Sequence, residues 1–171
     1  QPDGTAHILE LSCAEGLLAE VLLARFPTVT LHGYDLSPAM LAQAQNRLAH
    51  FADRFVPRQF DLAQTEWRTA EPTFHAVVSS LTIHHLGGPD KLRLFLDLYR
   101  MLQPGGVLII ADLVAPTREL GTAVAAKAWD EAVRQRSRQL DGNDDALVQF
   151  ERLKWNLYRY PDEQAETVDK P

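Results

Sequence analysis

Residues Ala6–Gly16, AHILELSCAEG, decide the fold. Apolar Ile8, Leu9 and Leu11 enclose a single acid, Glu10, and the chain then passes through the small residues Ser12, Cys13 and Ala14 to Gly16. The segment that follows, LLAEVLLARF, has apolar residues at helical spacing. The sequence therefore reads as a buried strand, a tight turn and a helix. That arrangement presents backbone N–H groups and a helix N-terminus to a nucleotide-like ligand.

Outward from this stretch, strand and helix patterns alternate. The first strand covers residues 6–12 and its helix residues 15–25, ending before Pro27. A second strand, Thr28–Tyr34, ends at Asp35; Ser37 then supplies an N-cap and Pro38 the first helical position. The helix runs on through MLAQAQNRLAHF, with Met40, Leu41, Ala44 and Leu48 on one side. Phe55–Phe60 is a weaker strand ending at Asp61, and His75–Leu81 a buried one. Pro89–Leu102 is an amphipathic helix carrying Leu92, Phe95, Leu96 and Tyr99; Pro104, Gly105 and Gly106 break it ahead of a fifth strand, Val107–Leu113. Such alternation predicts an α/β fold, a Rossmann-like doubly wound, mostly parallel sheet. The near-continuous apolar runs of strands one, four and five predict burial on both faces.

From Pro116 the alternation stops. Residues 119–140 and 144–159 read as two helices, the second with Leu147, Phe150, Leu153 and Leu157 in one stripe. The expected organisation is a cofactor-binding core over 1–115, a helical segment near the acceptor site over 116–160, and a polar tail over 161–171. A chain that opens without Met and shows only five strand patterns is expected to be part of a longer one. Its open sheet edge would invite pairing with another chain, so a homodimer is one expectation.

The chain of 171 residues is 46% hydrophobic and 23% charged, proportions that fit one globular domain. A net charge of −6 argues against an extended nucleic-acid surface, and the densest basic run, Arg134–Arg138, is interrupted by Gln135 and Ser137. One cysteine excludes an internal disulfide and suits a reducing, cytoplasmic compartment. No apolar run reaches the length of a membrane span.

Ligands of open parallel sheets bind beyond the carboxyl ends of the strands. The residues found there are Ser12–Gly16, Asp35 with Leu36, Asp61 with Leu62, and Ser79 with Ser80. Asp35 ends the second strand, where a carboxylate can accept both hydroxyls of a ribose. His84 and His85 follow strand four and are the candidates for a general base, with a packing or helix-start position as the alternative. No metal site is expected, because only that histidine pair is clustered. Cys13 reads as a small core residue, Trp129 and Trp155 as helix-packing residues, and His75 as a tolerated surface or edge position.

The strings HILELSCAEGLLAE, GYDLSPAML, FDLAQ, FHAVVSSLTIHHL and LQPGGVLIIADLV, within residues 7–114, resemble class I S-adenosylmethionine-dependent methyltransferases of the small-molecule type. The resemblance implies S-adenosyl-L-methionine as cofactor. Glu10 belongs to its acidic glycine-rich signature, and Ser12, Ala14 and Gly16 would approach the methionine part. Asp35 would hold the ribose, Leu36 and Met40 would flank the adenine, and Asp61, beside Leu62, would accept from the adenine amino group. Ser12 and Ala14 replace family glycines, His75 stands where the family has Asp, and the family's last two strands have no counterpart. By the same resemblance, the lack of an Asn/Asp/Ser-Pro-Pro-aromatic motif at SSLTIHH argues against methylation of nucleobase amino groups, and a small-molecule or otherwise undefined acceptor is expected. The alternatives are a methyltransferase-like binding or regulatory domain and a nicotinamide-dependent oxidoreductase; the latter would need glycine at Leu17.

Overall fold

A computed structural model of the protein describes residues 5–68, 73–114 and 116–160. It divides into two compact units after Leu113. The first unit holds a five-stranded sheet of β1 (Ala6–Leu11), β2 (Val29–Asp35), β3 (Phe55–Gln59), β4 (Phe74–Ser80) and β5 (Leu102–Ala111). Its strand order is β3-β2-β1-β4-β5, with every pairing parallel. Because β1 lies between β2 and β4, the winding direction reverses beside β1, which opens a crevice at the carboxyl end of the sheet.

Helices α1 (Leu17–Arg25), α2 (Pro38–Arg47) and α3 (Gly88–Met101) connect the strands. Ala19 and Leu23 of α1 and Leu41 and Ala44 of α2 pack with Leu31 and Phe55 of the sheet. On the opposite face, Leu94, Leu98 and Met101 of α3 pack with Leu9, Leu11, Tyr34 and Val77. Register explains the division: Leu9 pairs with His32, so Leu31, one residue earlier on β2, points to the other face. The sheet is thus wound on both sides, as the alternating pattern predicted.

Several expectations need correction. Helix α2 stops at Arg47, and Ala49–Phe51 forms a separate 3-10 turn. Strand β5 begins at Leu102, so Pro104, Gly105 and Gly106 lie inside it, where a register shift against β4 accommodates them. The apolar run of β5 predicted burial on both faces, yet Val107, Ile109 and Ile110 are exposed. An apolar strand needs cover from another element, and within this unit β5 forms the outer strand. His75 is neither a surface nor an edge residue: it is half-buried on β4, and its Nδ1 accepts the His7 backbone N–H at 3.1 Å. His7 Nδ1 in turn lies 3.0 Å from Nε2 of His32. Burial, with His7 beside it, pushes the His32 imidazole down to about 4.

The second unit holds α4 (Glu119–Asp141) and α5 (Asp145–Arg152), the latter shorter than the 144–159 span predicted. Gly142, at φ 71°, ends α4 in the left-handed conformation that glycine adopts freely. Leu147 and Phe150 of the expected stripe are buried, whereas Leu153 is exposed. Trp129 packs on Phe150 and Tyr158, whereas Trp155 is exposed. In the basic run, Arg134 pairs with Glu131, and Arg138 grips both carboxylate oxygens of Asp144 at 2.6 and 2.8 Å. The tail expected over 161–171 lies outside the described residues.

Gly33 on β2 offers a direct test of this packing. A Cβ there would lie 2.5 Å from Cε2 of Phe55 and 3.1 Å from Sγ of Cys13. Gly33→Ala should therefore destabilise the fold by about 1–3 kcal/mol through overpacking. An unchanged urea midpoint would contradict the packing described.

Candidate functional site

The loop between β1 and α1 is built as a glycine loop with only the last of its glycines, Gly16, in place. Ser12 has φ 57° and Ala14 φ 45°, both in the left-handed region, and Gly16 follows at φ 84°. An L-residue pays about 1–2 kcal/mol to stand there. The backbone nonetheless keeps this path because tertiary contacts fix it. Cys13 N–H donates to the Tyr34 carbonyl at 2.9 Å, and Gly16 N–H closes back on the Cys13 carbonyl at 2.9 Å. Arg47 of α2 donates through Nε to the Glu15 carbonyl at 3.0 Å and pairs with Glu20 of α1 at 3.4 Å. At Gly16 a Cβ would meet Leu48 and Ala44 at 3.1–3.3 Å, so this one retained glycine sits where α1 passes close to α2.

Asp35 joins the loop to the next helix. One carboxylate oxygen accepts the Ala14 N–H at 2.8 Å and the other accepts the Ser37 N–H at 2.9 Å. Ser37 caps α2 as its sequence predicted, its Oγ accepting the Met40 N–H at 3.3 Å. Each Asp35 oxygen retains further acceptor capacity, because a carboxylate oxygen carries two lone pairs.

Glu10 stands beside this pair as a second buried acid. Burial, reinforced by the charge of Asp35, pushes its carboxyl up to about 8. The folded chain therefore holds a proton that the unfolded chain gives up near pH 4.5, so this group costs stability as pH rises from there towards 8. Glu10 Oε2 and Ser79 Oγ are buried without a hydrogen-bond partner. Orphaned buried polar atoms are rare in proteins and mark places where a ligand or water completes the set. Cys13 is buried, and burial, with Glu10 and Asp35 near, pushes its thiol up to about 12, which leaves it unreactive.

The remaining sequence-selected residues also lie at the carboxyl ends of the strands. Leu36 and Met40 expose apolar side chains, 61% and 40% accessible. Asp61 and Leu62 follow β3 and are half-buried, with Asp61 Oδ1 accepting the Ala63 N–H at 2.8 Å. His84 and His85 lie in a 3-10 turn, Ile83–His85, beyond β4. Hydrogen bonds tie Asp35 directly to the loop, whereas Asp61, Leu62 and the histidines share only its end of the sheet. Sequence reasoning missed Asp112. It follows β5, and its carboxylate accepts from the Thr82, Ile83 and His84 amides and lies 2.6 Å from His84 Nδ1. The rule that selected Asp35 and Asp61, an acid ending a strand, would have found it. Among the described residues no group of three or more His, Cys, Asp or Glu is arranged to hold a metal ion.

The strained loop yields a testable consequence. Ser12→Gly with Ala14→Gly relieves two left-handed L-residues, partly offset by the freedom that glycine adds to the unfolded chain, about 0.4–1 kcal/mol per site. The double variant should gain on the order of 1 kcal/mol in chemical unfolding. A loss of stability would show that these side chains hold the loop.

Known proteins agree with this geometry. Residues 9–108 match a family described as "Methyltransferase domain". The chain is 34% identical over 129 residues to trans-aconitate 2-methyltransferase of Methylobacterium radiotolerans, covering 73% of this chain and 46% of that protein. It is 33% identical over 120 residues to an uncharacterized methyltransferase of Mycobacterium tuberculosis, covering 70% of this chain and 57% of that one. The chain thus spans about half the length of the curated relatives it matches. Among solved structures, the DhpI–SAM–HEP complex shares the fold with a TM-score of 0.56 at 22% identity, over 70% of this chain and 52% of that one. With the acid-bearing first strand, the left-handed loop and the strand-end Asp35 in place, the chain belongs to the class I S-adenosylmethionine-dependent methyltransferase family.

Proposed function

We propose that the protein transfers a methyl group from S-adenosylmethionine to a small-molecule acceptor in the cytoplasm. The observation that carries this reading is the loop backbone: Ser12 and Ala14 keep the left-handed path of a glycine loop although neither is glycine. Strain retained at a loop points to a use for that loop.

The residues present fit the cofactor. Asp35 retains lone pairs for ribose hydroxyls, and Leu36 and Met40 offer apolar cover for the adenine. A cation against the orphaned Glu10 Oε2 would offset both its burial and its repulsion by Asp35, which suits an amino-acid ammonium group. Amides of the first turn of α1 supply unpaired donors for a carboxylate. When bound, S-adenosylmethionine supplies an electrophilic methyl group on a sulfonium. The chain's own contribution is to position the two reactants in line and to exclude water, which can supply much of the rate.

A second reading, a binding or regulatory domain without turnover, draws on the missing loop glycines. Calorimetric titration with S-adenosylmethionine, paired with an assay for S-adenosylhomocysteine release, separates the two. Binding with release supports methyl transfer, binding alone the regulatory reading, and no binding contradicts both.

Asp35→Ala should weaken S-adenosylmethionine binding by about 1.5–3 kcal/mol, the loss of hydrogen bonds to a charged acceptor. Asp35→Asn, which keeps one acceptor oxygen, should lose less. Equal affinity in wild type and both variants would remove Asp35 from the site.

A further inference from the structure

A second polar cluster lies at the carboxyl ends of β4 and β5. Asp112 Oδ2 accepts three backbone N–H groups, from Thr82 at 3.2 Å, Ile83 at 2.6 Å and His84 at 3.2 Å. Its Oδ1 accepts the Leu113 N–H at 2.7 Å and lies 2.6 Å from His84 Nδ1. We propose that His84 is the general base of the reaction, aligned by Asp112 as its positioning residue, and that the methyl acceptor is therefore a hydroxyl group. This inference rests on the methyl-transfer reading above.

The geometry fixes the roles of the two imidazole nitrogens. Burial opposes the charge on Asp112, but the His84 hydrogen bond and the Leu113 amide outweigh it and hold the carboxyl below its usual value. An ionised carboxylate only accepts, so Nδ1 of His84 carries the proton donated to it. In the neutral ring Nε2 then bears the free lone pair, the site of a base. Four backbone donors lock the carboxylate, so the ring it holds is fixed in orientation as well. The His84 side chain stays 20% exposed, enough to meet a substrate. His85 lies beside it, with ring centroids 4.1 Å apart. Burial, helped by His84 and against the pull of Asp112, pushes His85 below its ordinary value, so it adds no competing positive charge at neutral pH.

Acceptor chemistry follows from what a base is needed for. A carboxylate acceptor carries no proton at neutral pH, and an amine can shed its proton to water before it binds. A hydroxyl is the oxygen acceptor whose proton must leave as the new bond forms. A lone pair of the hydroxyl oxygen forms the O–CH3 bond, the O–H pair stays on oxygen, and the proton passes to His84 Nε2. The S–CH3 pair stays on sulfur, converting the sulfonium of S-adenosylmethionine to a neutral thioether. The imidazolium so formed rests against the Asp112 carboxylate.

Two measurements on the full-length protein test the proposal. Nitrogen-15 NMR of the imidazoles should show His84 protonated on Nδ1 in the wild type and should lose that state in Asp112→Asn. Separately, methyl-labelled S-adenosylmethionine is supplied with matched hydroxylated and hydroxyl-free carboxylic acids, isocitrate and trans-aconitate among them. Label should enter a base-stable ether, and His84→Ala should slow this by roughly a hundredfold or more, the usual contribution of a general base. Added imidazole should restore at least part of the rate, a rescue that a purely structural role would not give. Label in base-labile esters, an Nε2-protonated His84, or a His84→Ala rate equal to wild type would overturn the proposal. Label in no product would overturn the proposal, and failure to bind S-adenosylmethionine would overturn methyl transfer itself.

Discussion

The carboxylate of Asp35 is the constraint on which the site depends. From the end of β2 it reaches back to the Ala14 amide in the loop after β1 and forward to the Ser37 amide that begins α2. One side chain thus joins the loop after β1 to the start of α2. It also fixes its own orientation, because both oxygens are committed to backbone donors. With the Cys13 and Gly16 backbone bonds, its bond to Ala14 holds the loop in which Ser12 and Ala14 stand at left-handed angles.

Burial of two acids side by side gives the site its electrostatic character. Glu10 and Asp35 share the carboxyl end of the central strands, and the protein resolves their repulsion by leaving Glu10 protonated until about pH 8. A positive charge brought beside them would offset both the burial and the repulsion. Asp112 supplies a third carboxylate at the same end of the sheet, held by amides and by His84. Glu10 lies one residue before the end of β1, Asp35 ends β2 and Asp112 follows β5, so one sheet positions them all.

Much of this was legible in the sequence, for identifiable reasons. Ser37 followed by Pro38 marks a helix start whatever the surroundings, and the structure caps α2 there. Gly16 and Asp35 were legible because the strand-turn-helix pattern fixes where they fall. What escaped depends on contacts distant in sequence. Asp112 and His84 are separated by 28 residues and meet only because β4 and β5 pair. The open faces of β5 escaped for a related reason. The run Val107–Ile110 states that the strand is apolar, but not whether another element covers it. His75 was misread because its partner, the His7 amide, lies across a strand pairing.

The most direct test is a crystal structure of the full-length protein with S-adenosylhomocysteine. The account predicts the ligand across the carboxyl ends of β1 and β2, with its ribose hydroxyls on Asp35, its base between Leu36 and Met40, and its ammonium group beside Glu10. A ligand bound elsewhere, or one whose ribose makes no contact with Asp35, would contradict it.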